Sequence, residues 1–316
     1  MAARNEYILP GLDGSNPLAF LAALGALRAA GANTRLSWRV DLRPVLQAPV
    51  SSFPELVDQI AIELKSAART LSNYPAPAEV IKVNATDFCA FADAESIDPS
   101  RIPFAACFGS DAIRDATDSN LIAPTRLSLA NGQGGKKLLM HFKQMVNDAS
   151  DPQPVSTKRG KSVQVEDRSL SALLNEALME WKRRSSKGFY SFRWDPLELR
   201  RAAYMAITPE DDPYQSVVGA NLLAFLGLTM LPSAPGPKEL RSACLFEVGN
   251  RELFAWPLWD APLSIDETIA LLICPGEDED KFAPDWSSAR GIFTRFAAER
   301  YSDPQKNAFF NSSFAI

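Results

Sequence analysis

Histidine is almost missing from this chain: His141 is the only one among 316 residues. The usual general base at neutral pH, and the commonest transition-metal ligand, are thus limited to one position. That position lies inside the apolar run LLMHFKQM, where a structural role is the expectation. Cysteine is sparse too. Cys89, Cys107, Cys244 and Cys274 are far apart, lack metal-ligand spacing and sit among apolar neighbours, so buried reduced thiols are expected rather than disulfides. No run approaches the ~20 apolar residues of a membrane span, and the opening MAARNEYILPG has no apolar signal core. The expectation is a cytoplasmic protein without membrane contact. The GxxxxGK[ST] loop and the G-x-S-x-G elbow are also absent. We therefore assign no catalytic residue, metal or cofactor, while a carboxylate-only magnesium site built from distant positions stays open.

What is present is an ordinary globular composition with an uneven charge. Hydrophobic residues at 46% and charged residues at 22% suffice for one large core or two smaller ones. The net charge of -5 hides a basic middle. From Gly134 to Arg201 there are 14 Lys and Arg against 8 Asp and Glu, leaving 19 against 30 elsewhere. Such a division suits a protein that meets a polyanion on one face and a protein on another; charges balanced locally over the surface are the plainer alternative.

Periodicity predicts an α+β fold, mixed, with buried apolar helices packed on short sheets. Tyr7 to Pro10 reads as a strand. Asn16 is the expected N-cap and Pro17 the first turn of an apolar helix that ends near Gly31. Leu36 to Val40 alternates like a strand, and Phe53 to Leu71 reads as an amphipathic helix. Arg101 to Ser110 is expected to be a buried strand, LLMHFKQMV and Ser169 to Arg184 helices, and Asp148 to Arg168 a mobile loop or domain boundary. Strands are expected at Ala243 to Val248 and Leu253 to Trp256, and a helix at Asp266 to Ile273 with Ser264 as its cap. Trp286 to Arg300 is expected to be the last helix, before a tail whose phenylalanines dock on this protein or a neighbour. The organisation is a region 1–150, a flexible basic loop 151–168 and a region 169–316, or one continuous domain. Asn16-Pro-Leu-Ala-Phe-Leu and Asn221-Leu-Leu-Ala-Phe-Leu echo one another, as a duplicated unit or two independent buried helices would.

Three stretches have polyanion chemistry. Gly132, Gly134 and Gly135 precede Lys136 and Lys137 at a predicted helix start, where free N–H groups and the helix dipole favour phosphate. Lys158, Arg159 and Lys161 cluster in the expected loop. The block Lys182, Arg183, Arg184, Lys187, Arg193, Trp194, Arg200 and Arg201 interleaves cations with Trp181, Phe189, Tyr190 and Phe192, a mixture suited to unpaired strands; core aromatics beside solvated cations are the competing reading.

Two regions resemble one family. The opening LPGLDGSNPLAFLAALGALRA, and FRWDPLELRRAAYMAITPEDDPYQSVVGANLLAFLGLTMLP with the later FAWPLWDAPLSID, are similar to CRISPR-associated proteins encoded beside type I-G (formerly I-U) systems. The likeness rests on Arg193 to Pro196, Arg200 and Arg201, Gly219 to Phe225 and Trp256 to Trp259. It implies a non-catalytic subunit of an RNA-guided, Cascade-type surveillance complex in antiviral defence. Its partners would be the other effector subunits, guide RNA, target DNA and a helicase-nuclease. Two readings from other classes remain: a phosphate- or nucleotide-substrate enzyme using the Gly132 to Lys137 turn, and a protein-only scaffold.

Overall fold

The computed structural model describes residues 4–75, 80–93, 98–129, 138–151, 155–159, 162–185, 190–198, 215–237, 239–273, 287, 289–302 and 308–316, with backbone alone for 155–159, 162–166 and 185. The described residues form an α+β fold of helices and small antiparallel sheets.

Strand β1 (Asn5–Ile8) leads through a tight loop into α1 (Pro17–Ala29). Asn16 Oδ1 accepts the N–H groups of Leu18 and Ala19, and Pro17 stands where an N–H would have no intrahelical partner. Gly31, at φ 93°, ends the helix in the left-handed region. Strands β2 (Arg35–Trp38) and β3 (Pro44–Ala48) complete a sheet of order β1-β3-β2. Helix α2 (Phe53–Leu71) buries Leu56, Ile60, Leu64 and Leu71 along one stripe. Helices α3 (Ala85–Ala92) and α4 (Ile102–Phe108) follow, then the paired β4 (Gly109–Arg114) and β5 (Ile122–Pro124). Helix α5 (Leu138–Ser150) precedes a hairpin of β6 (Val155–Arg159) and β7 (Ser162–Glu166).

Helix α6 (Leu170–Asn175) widens into a π-turn over Glu176–Glu180. Strand β8 (Arg184–Ser185) pairs with β9 (Gln215–Ser216), which runs into α7 (Val218–Gly227). A hairpin of β10 (Ser233–Pro235) and β11 (Leu240–Ser242) comes next. Strands β12 (Leu245–Val248) and β13 (Arg251–Trp259), then helix α8 (Ile265–Ile273), precede β14 (Ile292–Ser302), β15 (Ala308–Phe310) and β16 (Phe314–Ala315). These last strands make a five-stranded antiparallel sheet of order β12-β13-β14-β15, with β16 also on β14. Ser264 caps α8 reciprocally: its Oγ accepts the Glu267 N–H and Glu267 Oε2 accepts the Ser264 N–H.

The core runs through α1 and α7. All ten residues of α7 are buried, and in α1 only Arg28 is not. Phe20 stacks on Trp38 at 6.0 Å and on Trp256 at 5.7 Å, which joins α1 to both larger sheets. Trp256 Nε1 donates to Gly14 O at 2.8 Å and Trp259 Nε1 to Leu36 O at 2.9 Å, so each indole is satisfied in the interior.

Four expectations are corrected. Most of Arg101 to Ser110 is helix α4, with the rings of Phe104 and Phe108 in tilted contact one turn apart, and only Gly109 and Ser110 begin strand β4; a short apolar run does not distinguish a strand from a buried helix. Asp148 to Arg168 is not one loop: α5 extends to Ser150 and the hairpin β6–β7 follows. Ser169 to Arg184 is not one helix. It breaks at the π-turn, where a Cβ on Gly11 would lie 2.3 Å from Ala177 O; just before the turn, in α6, one on Gly219 would lie 2.1 Å from Leu173 O. Most of the predicted last helix is strand β14, paired with β13 along nearly its whole length. Its tail does dock in part: Phe310 is fully buried against Phe254, while Phe314 is 41% exposed. The two echoing asparagines differ in role, since Asn16 caps α1 and Asn221 lies inside α7.

Candidate nucleic-acid interface

The basic block begins where the π-turn ends. Trp181 adopts φ 53°, and this left-handed residue turns the chain back along α6. Arg184 then grips Glu176 as a fork, Nε to Oε2 at 2.6 Å and Nη2 to Oε1 at 2.7 Å, and Nη2 also donates to Asp167 O at 2.6 Å. The two side chains are 5% and 12% exposed. Burial pushes the Glu176 carboxyl up, but Arg184 and Lys182 together hold it below its ordinary range. Lys182 Nζ reaches Glu176 Oε1 at 2.5 Å.

Arg183 turns toward a different carboxylate. Its Nη2 lies 2.5 Å from Asp195 Oδ2, and Asp195 is almost completely buried. Asp195 Oδ1 accepts Asn16 Nδ2 at 3.0 Å and the Leu197 N–H at 3.0 Å. The N-cap of α1 and the Arg-Trp-Asp-Pro turn are thereby tied together. Trp194 is fully enclosed and its Nε1 donates to Leu127 O at 2.9 Å. Phe192 packs on Trp194 and Phe225. Arg193, between them, is partly exposed at φ 65°.

A second polar relay lies beside the first. Asn221 Oδ1 accepts the Phe192 N–H, its Nδ2 donates to Ser216 Oγ at 2.9 Å, and Ser216 Oγ donates to Glu198 Oε1 at 2.5 Å. Ser191 Oγ donates to Glu198 Oε2. Burial chiefly, with the Asp195 charge, pushes the Glu198 carboxyl up to about 7 against the two hydroxyl donors and Arg183.

The expected site residues therefore separate. Lys182, Arg183 and Arg184 are engaged by carboxylates, and Trp194 has no free ring face for a base; this corrects its assignment as a contact and follows the core alternative. The carboxylates Glu176, Asp195 and Glu198 escaped the sequence reading because they pair through a chain reversal rather than at helical spacing. Lys158 and Arg159, neighbours in sequence, occupy the last two positions of β6, opposite Val163 and Ser162, at the closed end of the hairpin. Lys136, Lys137, Gly132, Gly134, Gly135, Lys161, Lys187, Arg200 and Arg201 lie outside the described residues.

His141 is buried and stacks on Tyr190 at 3.6 Å, with ring planes 5° apart. Burial pushes the Cys244 thiol up to about 12 and Cys107 higher still, so neither is a thiolate at neutral pH. Among the described residues no group of three His, Cys, Asp or Glu side chains converges as metal ligands. No protein-family model matches the chain, and no curated protein matches it at a significant level.

Proposed function

We propose that the chain is a non-catalytic subunit of an RNA-guided surveillance complex of the type I-G CRISPR kind, contacting guide RNA or target DNA through its backbone phosphates. The observation that carries this reading is the joining of the resembling stretches. Asn16 of the opening motif bonds Asp195 of the Arg-Trp-Asp-Pro motif, Asn221 of the second motif bonds the Phe192 N–H, and Trp256 of the third bonds Gly14 O. Residues far apart in sequence thus act as one unit, which holds the fold and leaves phosphate contact to other positions. The hairpin β6–β7 supports those contacts. A two-stranded ribbon of this kind fits a nucleic-acid groove, and its closed end bears Lys158 and Arg159. The other effector subunits and a helicase-nuclease are the partners this reading assigns, and the cytoplasm its compartment.

The test is binding of labelled RNA and DNA duplex across a salt series, comparing wild type with K158E/R159E/K161E. Each phosphate contact contributes roughly 0.7 to 0.9 to the slope of log affinity against log salt. The triple variant is expected to flatten that slope by about 2 and weaken every sequence alike. A wild-type protein without salt-dependent binding, or a variant identical to it, sinks the reading. Charge reversal at Arg183 or Arg184 is not a clean probe, because it breaks their buried ion pairs.

A further inference from the structure

Among the described residues, β12 is an edge of the five-stranded sheet and pairs with β13 alone. Gly249 and Asn250 join the two strands, so Val248 and Arg251 form a hydrogen-bonded pair, and such pairs recur at every second position. The Ala255 N–H donates to Cys244 O at 2.8 Å, which fixes the same phase at the other end. Phe246 therefore turns its N–H and C=O toward β13, while Leu245 and Glu247 direct theirs to the open edge. Among the described residues none of these outward groups has a partner. The strand also lacks the usual protection of an edge. Its sequence LFEV holds no proline and no lysine, and its single charged side chain is drawn onto Arg126.

A cleft of about 390 Å³ opens on that edge. Leu245 and Glu247 stand on one face of the sheet, opposite Phe254 and Glu252, and Phe246 stands on the other, opposite Leu253. All three line the cleft, so it runs along the side of the strand rather than over one face. Leu240, Leu272 and Ile273 add an apolar wall. The rim is acidic. Arg126 serves Glu239 and Glu247 at 3.0 Å each and Glu252 at 2.7 Å, while Glu252 already has Arg300 at 2.9 Å. Glu239 and Glu247, with side chains 49% and 60% exposed, thus share one guanidinium and keep an excess of negative charge. Arg241, the other cation of the lining, has an interaction of its own and leans over Gly236, where a Cβ would lie 3.1 Å from its Nε.

We propose that β12 is a docking edge for an extended segment of a partner protein, one that alternates apolar residues with lysine or arginine. Only a polypeptide backbone offers donors and acceptors at the spacing of alternate strand residues, roughly 7 Å. The segment lies in the cleft as an added strand and exchanges backbone hydrogen bonds with Leu245 and Glu247. Residues opposite those two share their face, so its cations meet Glu247 and Glu239, and its apolar side chains fall beside Phe246. A second copy of β12 is disfavoured there, because it sets one acidic rim against another. This edge is separate from the hairpin β6–β7, and its occupancy does not depend on nucleic-acid contact.

The experiment measures anisotropy of fluorescein-labelled KVKVKVK and EVEVEVE peptides with the intact chain. KVKVKVK is expected to bind and EVEVEVE to bind at least about tenfold more weakly. N-methylation of KVKVKVK at its lysines, whose N–H groups face β12, should weaken binding about tenfold or more, whereas at its valines it changes little. Hydrogen exchange followed by NMR should show the Leu245 and Glu247 amides slowed by the peptide and those of Phe246 and Val248 unchanged. E239K/E247K, at exposed positions, should reverse the preference between the two peptides. Wild type that does not bind KVKVKVK overturns the proposal. So does equal binding of the peptide methylated at its lysines, which needs no protein variant, or exchange slowed without the alternation. A folded E239K/E247K that keeps the wild-type preference overturns the acidic rim as the selector. Self-association of the chain that slows the same two amides makes a second copy the occupant and overturns the proposal as well.

Discussion

Gly25 and Gly227 mark the crossing of α1 and α7, each against the carbonyl of the residue four before the other. A Cβ on Gly25 would lie 1.8 Å from Leu223 O, and one on Gly227 2.1 Å from Leu21 O. The obstructing atoms are backbone within two helices buried but for Arg28, so no rotamer change relieves the clash. Gly25→Ala and Gly227→Ala are each expected to lower unfolding stability by about 3 kcal/mol, at the upper end for overpacking. Denaturant melts with an unchanged slope would check this. Gly249→Ala is the control: its φ of 60° is unfavourable, but nothing lies within 4 Å of the added Cβ, and the loss should be about 1 kcal/mol.

The fork between Arg184 and Glu176 allows a second test. Both side chains are nearly enclosed, so removing one partner leaves the other charged without compensation. Glu176→Gln should cost about 3 kcal/mol, while replacing both residues with leucine should recover much of that loss. A double variant as unstable as the sum of the single ones would show that the pair does not act as a unit.

Glu198 sets a pH dependence whose sign follows from proton counting. Its folded carboxyl is pushed up to about 7, chiefly by burial, whereas its ordinary value is 4.5. The unfolded chain therefore releases this proton first as pH rises. The stability that the neutral carboxyl contributes is fully present below pH 4.5, falls as pH rises toward 7, and levels off above that. Among the described residues Asp195 and Arg183 are the charged groups acting on it, one raising and one lowering the value. Glu198→Gln is expected to flatten the decline between pH 4.5 and 7. Parallel stability curves for the variant and wild type would remove Glu198 as its source.

Elements whose own residues dictate them are legible in the amino-acid sequence. Asn16 with Pro17, Ser264 with Glu267 and the stripe of Phe53–Leu71 each carry a local signal, and each forms as expected. Elements decided by distant neighbours are not legible in this way. Ile292–Ser302 holds apolar residues on both faces and forms a strand because β13 supplies its ladder, whereas the same residues in isolation suit a helix. For the candidate site, the cations of the middle third stand out in the sequence but their partners do not. Arg183 meets Asp195 only because Trp181 reverses the chain at a left-handed residue.

The amino-acid order by itself determined the class of fold, the caps, the enclosure of α1 and α7, and the basic character of the middle, because those depend on composition and short-range spacing. Which cations are held by carboxylates and which aromatics are enclosed were decided only by tertiary structure. Ion pairs, ring stacks and strand registers join residues far apart in sequence, and their strength depends on the burial that folding creates.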